Sequence, residues 1–144
     1  MVSDFSCLGV LFDLDGVLVD SIAAVERQWR IWAERHGLDP KYVVHTAHGH
    51  RTIETVRLLM PDADAAYEAS TVERAELADT AGLVRKQCTS ELIGRLPEDR
   101  WAIVTSGTRL LATTRLRSVD VSVAKGGDGA AAMRFRVLVG QATR

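Results

Sequence analysis

Asp13 and Asp15 stand two residues apart, directly behind the apolar run from Leu8 to Phe12 and directly before Gly16. On an extended chain two such side chains start out on the same side. One carboxylate so placed can attack phosphorus and form an aspartyl phosphate. A second can hold a proton for the leaving oxygen and then take one from water. Their joint negative charge calls for a hard cation such as Mg²⁺, which binds carboxylates together with substrate phosphate. The plainer reading is an Asp-rich turn that closes a buried strand. The apolar lead-in, Gly16 and the Asp20-Ser21 pair together favour the chemical reading.

The pattern around these acids also sets the framework that holds them. A short apolar run bounded by a glycine turn suits a strand buried on both faces, as in a parallel sheet. Ligands of such sheets bind at the carboxyl ends of strands, where Asp13 and Asp15 fall. Gly16 supplies a turn that needs no Cβ, and Asp20 or Ser21 caps the helix after it. Ile22, Val25, Trp29, Trp32 and His36 then step by three and four, one face of a helix that Gly37 stops. The two tryptophans read as packing residues. Pro40 to His50 reads as loop, and Thr52 to Met60 as a short helix ended by Pro61. Residues 62–83 are rich in Ala and Glu and helical in propensity, with Tyr67, Val72 and Leu77 as anchors and the acids on a solvated face. Ser90 to Leu96 reads as another helix.

A second informative stretch runs from Arg100 to Thr108. An apolar strand enters the hydroxyl-rich turn Thr105-Ser106-Gly107-Thr108, and a helix with Leu110, Leu111 and Leu116 comes next. Free N–H groups at such a helix start favour phosphate. An ordinary N-cap by Ser106 or Thr108 needs only the hydroxyls.

Residues 10–21 match the motif apolar-Asp-x-Asp-Gly-x-x-x-Asp-Ser throughout. In this the chain resembles the haloacid dehalogenase-like hydrolase superfamily, over roughly residues 5–117. The resemblance implies an α/β fold. A Rossmann-like parallel sheet is formed by residues 1–18 and 97–144, with 118–144 an atypical tail, and residues 19–96 form an inserted α-helical cap with its hinges. It implies Asp13 as nucleophile and Asp15 as general acid/base. Mg²⁺ is then held by the Asp13 side chain and the Asp15 backbone carbonyl. The Ser106 hydroxyl and Gly107 N–H hold the transferring phosphoryl group, with Arg109 as a lesser candidate. The stretch His48-Gly49-His50-Arg51-Thr52 resembles a His-Gly-x-Arg element in the cap of sugar- and glycerol-phosphate phosphatases. It implies substrate contacts from His48 and Arg51, whose guanidinium carries a fork of donors. A zinc site at His45, His48 and His50 lacks the four ligands such sites usually have.

The superfamily also carries a Lys, usually before Pro, and a paired-acid loop that completes the Mg²⁺ site. Beyond Ser106 the only acids are Asp120 and Asp128, and the only lysine is Lys125. Asp128, between two glycines, is the candidate for the missing metal ligand. Val119, Val121 and Val123 alternate with other residues, as do Phe135, Val137 and Val139, and each set reads as a short strand. The core is therefore expected to be incomplete at its C-terminal end. Residues after about Arg117 are read as the product of a frameshift, a premature stop or a deletion, against a genuine short variant.

Length and composition set the remaining bounds. A chain of 144 residues is long enough for one domain with a real core. Net charge is −1, so nothing global points to nucleic acid. Two cysteines make no disulfide framework and suit a reducing cytoplasm. The N-terminus lacks the basic region of a signal peptide, and no stretch approaches a membrane span. The expectation is a cytoplasmic, Mg²⁺-dependent phosphatase of a small phosphorylated metabolite, a sugar or polyol phosphate, with neither nucleic acid nor membrane as partner. The alternatives are a phosphomutase of the same superfamily and an inactive, truncated or metabolite-binding relative.

Overall fold

The structure, a computed structural model, describes residues 6–121. Its elements in chain order are β1 (Val10–Asp13), β2 (Val19–Asp20), α1 (Ile22–Arg35), α2 (Pro40–Ala47), α3 (Thr52–Leu59), α4 (Ala65–Ala78), β3 (Val84–Arg85), α5 (Thr89–Arg95), a 3₁₀ turn (Glu98–Arg100), β4 (Trp101–Val104) and α6 (Arg109–Ser118). The fold class is α/β. β1 and β4 pair in parallel, with Val10 opposite Trp101 and Asp13 opposite Val104. Parallel register brings the carboxyl ends of both strands to one level. The loops after Asp13 and after Val104 therefore open on the same side.

Two apolar clusters hold the chain together. Phe12, Leu14, Leu18, Val19, Ile103, Ala112, Leu116, Val119 and Val121 pack beneath the sheet, with Ile93 and Leu96 of the α5 region against them. Trp29, Trp32, Ala33, Val43, Val56, Ala69 and Val72 bind α1 to α4 into a helical layer. Trp29 and Trp32 meet edge to face, with centroids 5.4 Å apart, which adds to the burial of two large side chains. Fully burying one Leu or Phe contributes about 1.5–3 kcal/mol, so these clusters dominate the stability. β2 and β3 pair antiparallel where the chain leaves for the helical layer and returns from it. There Lys86 Nζ meets Asp20 Oδ2 at 2.7 Å, and the Lys86 N–H donates to the Leu18 carbonyl.

Several sequence expectations change. β1 is not buried on both faces: Phe12 points into the cluster, but Leu11 is 66% exposed, because no described element covers that face. The stretch 40–50 is not all loop. Asp39 accepts from the Lys41 N–H and Pro40 opens α2, so a capped helix forms and buries Val43. In α4 Val72 is buried as expected, but Tyr67 is exposed, and Ala69 and Glu76 turn inward beside Val72. Val119 to Val121 forms the turn that closes α6, and Val123, the third residue of the strand expected there, lies outside the described residues. The Val121 N–H donates to the Leu116 carbonyl, and Asp120 takes a left-handed φ of 54°, a closing turn of the Schellman type. Lys125, Asp128 and the expected strand at 135–139 lie outside the described residues. Among the described residues no helix is long and apolar enough to cross a membrane.

Candidate active site

The site begins with a turn that only this local sequence makes easily. The Leu14 carbonyl accepts from the N–H groups of Leu18 and Val19, and the Gly16 N–H donates to the Val19 carbonyl. Gly16 sits at φ +80°, the left-handed region that glycine occupies without strain. This knot presents Asp13 and Asp15 at the mouth of the sheet. Leu14 between them is buried in the cluster beneath.

The two acids have different surroundings. Asp13 is exposed, and among the described residues its Oδ1 accepts only from the neighbouring Leu14 N–H, at 2.7 Å. No cation pairs with it among the described residues. Asp15 is half-buried and held from two sides. The Ser21 hydroxyl donates to its Oδ1 at 2.6 Å, and Arg115 Nη1 donates to both oxygens at 2.8 Å. Ser21 thus occupies the N-cap position of α1 without capping it through its side chain. Its hydroxyl serves Asp15.

Arg115 reaches further. Its Nη2 donates to Glu76 Oε2 at 3.1 Å, joining α6 to α4. Arg115 and Glu76 are both buried. Burial pushes the Glu76 carboxyl up to about 7, against the pull of Arg115 and with help from the charges of Asp15 and Glu73.

Across the mouth, β4 ends ahead of Thr105, which is buried, and of Ser106, which is exposed. The Gly107 N–H donates to Thr105 Oγ1 at 3.2 Å. Thr108, not Ser106, caps α6, accepting from the Leu111 N–H at 3.3 Å. The Ser106 hydroxyl is therefore not spent on the helix end.

Asp13, Asp15, Ser106 and Gly107 line one cleft of about 200 Å³. Its far wall comes from the helical layer, including Trp29, His48, His50 and Glu76. This volume is below the roughly 300–1,000 Å³ usual for drug-sized ligands, and it suits a small metabolite. His48 closes α2 at the cleft wall. Arg51 is not among the lining residues. It stands at the N-cap position of α3, and its charge acts on Glu73 of α4. Arg109 opens α6 and is exposed.

Sequence reasoning misses Glu76 and Arg115, and it gives Ser21 a capping role. The signal is present nonetheless. Arg115 lies between Leu111, Ala112 and Leu116 on the inward face of α6, and Glu76 comes one turn after Val72 on the inward face of α4. A charge on an apolar face needs a buried partner, and these two supply it to each other.

No protein-family model matches the chain. Hexitol phosphatase A of Escherichia coli (strain K12) is 43% identical over 114 residues, covering 76% of this chain and 53% of that protein. The 2-deoxyglucose-6-phosphate phosphatase 1 of Saccharomyces cerevisiae is 31% identical over 137 residues, covering 86% and 56%. Glycerol-1-phosphate phosphohydrolase 1 of the same yeast is 34% identical over 110 residues, covering 71% and 43%. The chain spans about half the length of the curated relatives it matches. Among solved structures, a hydrolase from Pseudomonas syringae superposes with a TM-score of 0.66 at 22% identity, over 80% of this chain and 56% of that one. A protein assigned as a haloacid dehalogenase-like hydrolase from Bacteroides fragilis gives 0.59 at 23%, over 78% and 57%. At these identities the superpositions speak for the fold alone. The Asp13-Leu14-Asp15-Gly16 motif at the end of β1, the hydroxyl turn at the end of β4, the fold, and the likeness to sugar- and glycerol-phosphate phosphatases all agree with the resemblance to the haloacid dehalogenase-like hydrolase superfamily.

Proposed function

We propose that this chain carries the active site of a Mg²⁺-dependent phosphatase acting on a small phosphorylated metabolite, a sugar or polyol phosphate. One observation carries the reading. Asp13, a carboxylate with no cation partner among the described residues, and Asp15, a held carboxylate, open on the same cleft as Ser106, whose hydroxyl is not used to cap α6. The names of the relatives supply the substrate class.

Each residue then has a task that its surroundings suit. Asp13 attacks phosphorus, and the ester P–O bond breaks as the aspartyl phosphate forms. Asp15 gives a proton to the departing alkoxide. It next takes a proton from water as that water attacks the aspartyl phosphate, which releases inorganic phosphate and restores Asp13. Ser106 holds the phosphoryl oxygens while their charge redistributes, and the Gly107 N–H, which donates to Thr105 Oγ1 in this structure, turns to them when phosphate binds. Helices α1–α4 act as a cap, and His48 meets the substrate's hydroxyl-bearing end. Arg51 serves the same cap from outside the cleft wall.

Oxygen donors at the end of β1 fit Mg²⁺, which takes one or two carboxylates and keeps several waters. Asp13 and the Asp15 carbonyl would hold it. Among the described residues no group of three or more His, Cys, Asp or Glu side chains gathers as a metal site, and Asp128 is the candidate third ligand. When bound, the ion offsets the repulsion between the Asp13 carboxylate and the phosphate.

Release of inorganic phosphate from hexitol, hexose and glycerol phosphates, with Mg²⁺ and with EDTA, tests the reading. Turnover of at least one of these, abolished by EDTA, supports it. Folded protein that releases phosphate from none of them contradicts it.

A further inference from the structure

Arg115 divides its donors between two acids that come from different parts of the chain. Nη1 reaches both oxygens of Asp15, in the loop after β1, and Nη2 reaches Glu76 on α4. The side chain is 5% exposed and that of Glu76 is 6% exposed. Arg115 lines the cleft, but both of its terminal nitrogens are committed to these acids. A planar guanidinium fixes the direction of each acceptor, which a flexible ammonium does not. The remaining hold on Asp15 is the Ser21 hydroxyl.

We propose that Arg115 is a positioning residue for Asp15, and that Glu76 anchors Arg115, so that one three-residue bridge ties the helical layer to the carboxylate that moves the proton. The proton-moving part rests on the phosphatase reading above; the bridge itself does not. Proton transfer requires the carboxyl within hydrogen-bond reach of the departing oxygen, and a displacement of an ångström is costly there. The helical layer thereby contributes to chemistry at the sheet without touching the phosphate.

The test uses the full 144-residue chain as wild type, Arg115→Met, Arg115→Lys and Glu76→Leu, with Glu73→Gln as a same-helix control. Two substrates separate positioning from general damage. Glycerol phosphate leaves as a poor alkoxide that needs an acid, whereas p-nitrophenyl phosphate leaves easily. Both substrates share the later hydrolysis of the aspartyl phosphate, in which Asp15 also acts, so the comparison is made on the first step. Arg115→Met is expected to lower the single-turnover rate of alcohol release from glycerol phosphate about 100-fold, and of p-nitrophenol release from p-nitrophenyl phosphate about 10-fold or less. Arg115→Lys restores part of the loss, and Glu76→Leu falls between. Equal losses on both substrates, or no loss, would overturn the proposal.

Hydrogen–deuterium exchange supplies a readout that needs no turnover. Segments 14–21 and 70–78 are expected to exchange faster together in Arg115→Met and Glu76→Leu, and not in Glu73→Gln. That result with an inactive wild type sinks the phosphatase reading and leaves the bridge standing. Unchanged exchange at 14–21 in every Arg115 variant sinks the bridge whatever the activity. Should Arg115→Met fail to fold, Arg115→Lys and Glu76→Leu carry both readouts.

Discussion

Nη1 of Arg115 lies 2.8 Å from both carboxylate oxygens of Asp15, although the two residues stand 100 positions apart in the chain. The contact joins the loop after β1 to the inward face of α6, and Glu76 extends it to α4. Assembling a buried ion group adds little net stability, since desolvation offsets attraction. Removing one member is a different matter, because it strands the others without a partner. Arg115→Met is therefore expected to destabilise the chain by about 3–5 kcal/mol. Arg115→Lys, which keeps the charge and loses the fork, costs less. Urea denaturation of the three proteins measures this.

Glu76 makes stability depend on pH. Burial raises its carboxyl from the ordinary range to about 7, so folding takes up a proton between the two values. For a raised value the sign is fixed: the contribution is full below about 4.5, where the unfolded chain is also protonated, and it is lost as pH rises through about 7. Arg115 moderates the loss, while Asp15 and Glu73 add to it. Wild type is expected to lose on the order of 1–3 kcal/mol between pH 5 and 8 through this group. Glu76→Gln, which cannot ionise, flattens that part of the profile. Urea midpoints across the range read it directly, and identical profiles for the two proteins would contradict it.

Gly16 sits at φ +80° with only Ile22 Cδ1 near the place of a Cβ, at 3.7 Å. Substitution there meets backbone strain rather than a clash. Gly16→Ala is expected to cost about 1–2 kcal/mol and to disturb Asp15 more than Asp13, since the turn lies beyond Asp15. A loss of stability under about 0.3 kcal/mol in urea would show that the turn relaxes freely, contrary to the left-handed cost.

Both loops of the site are legible in the sequence because each is a local pattern. An apolar run ending in Asp13-Leu14-Asp15-Gly16 and another ending in Thr105-Ser106-Gly107 each declare a strand and the turn that closes it. Helices α1, α3 and α5 are readable from spacing, whereas three histidines obscure α2 although Asp39-Pro40 marks its start. The partners of Asp15 are harder. Ser21 looks like a cap because hydroxyls before helices usually are, and its true acceptor is six residues back. Arg115 and Glu76 each fall on an apolar helix face, which marks a charge in need of a partner, but which partner each meets depends on how α4 packs on α6. No local pattern encodes that packing.

Hydrolysis of a generic aryl phosphate by wild type and Asp13→Asn, each with Mg²⁺ and with EDTA, is the most direct measurement. Asp13 is exposed and makes one hydrogen bond to its neighbour, so the substitution is expected to move stability by no more than about 0.5 kcal/mol. If Asp13 is the nucleophile, wild-type turnover with Mg²⁺ falls by about 10⁴-fold or more in Asp13→Asn, and EDTA silences the wild type. Equal turnover by the two folded proteins, or turnover indifferent to EDTA, would contradict the assignment of Asp13 and the metal.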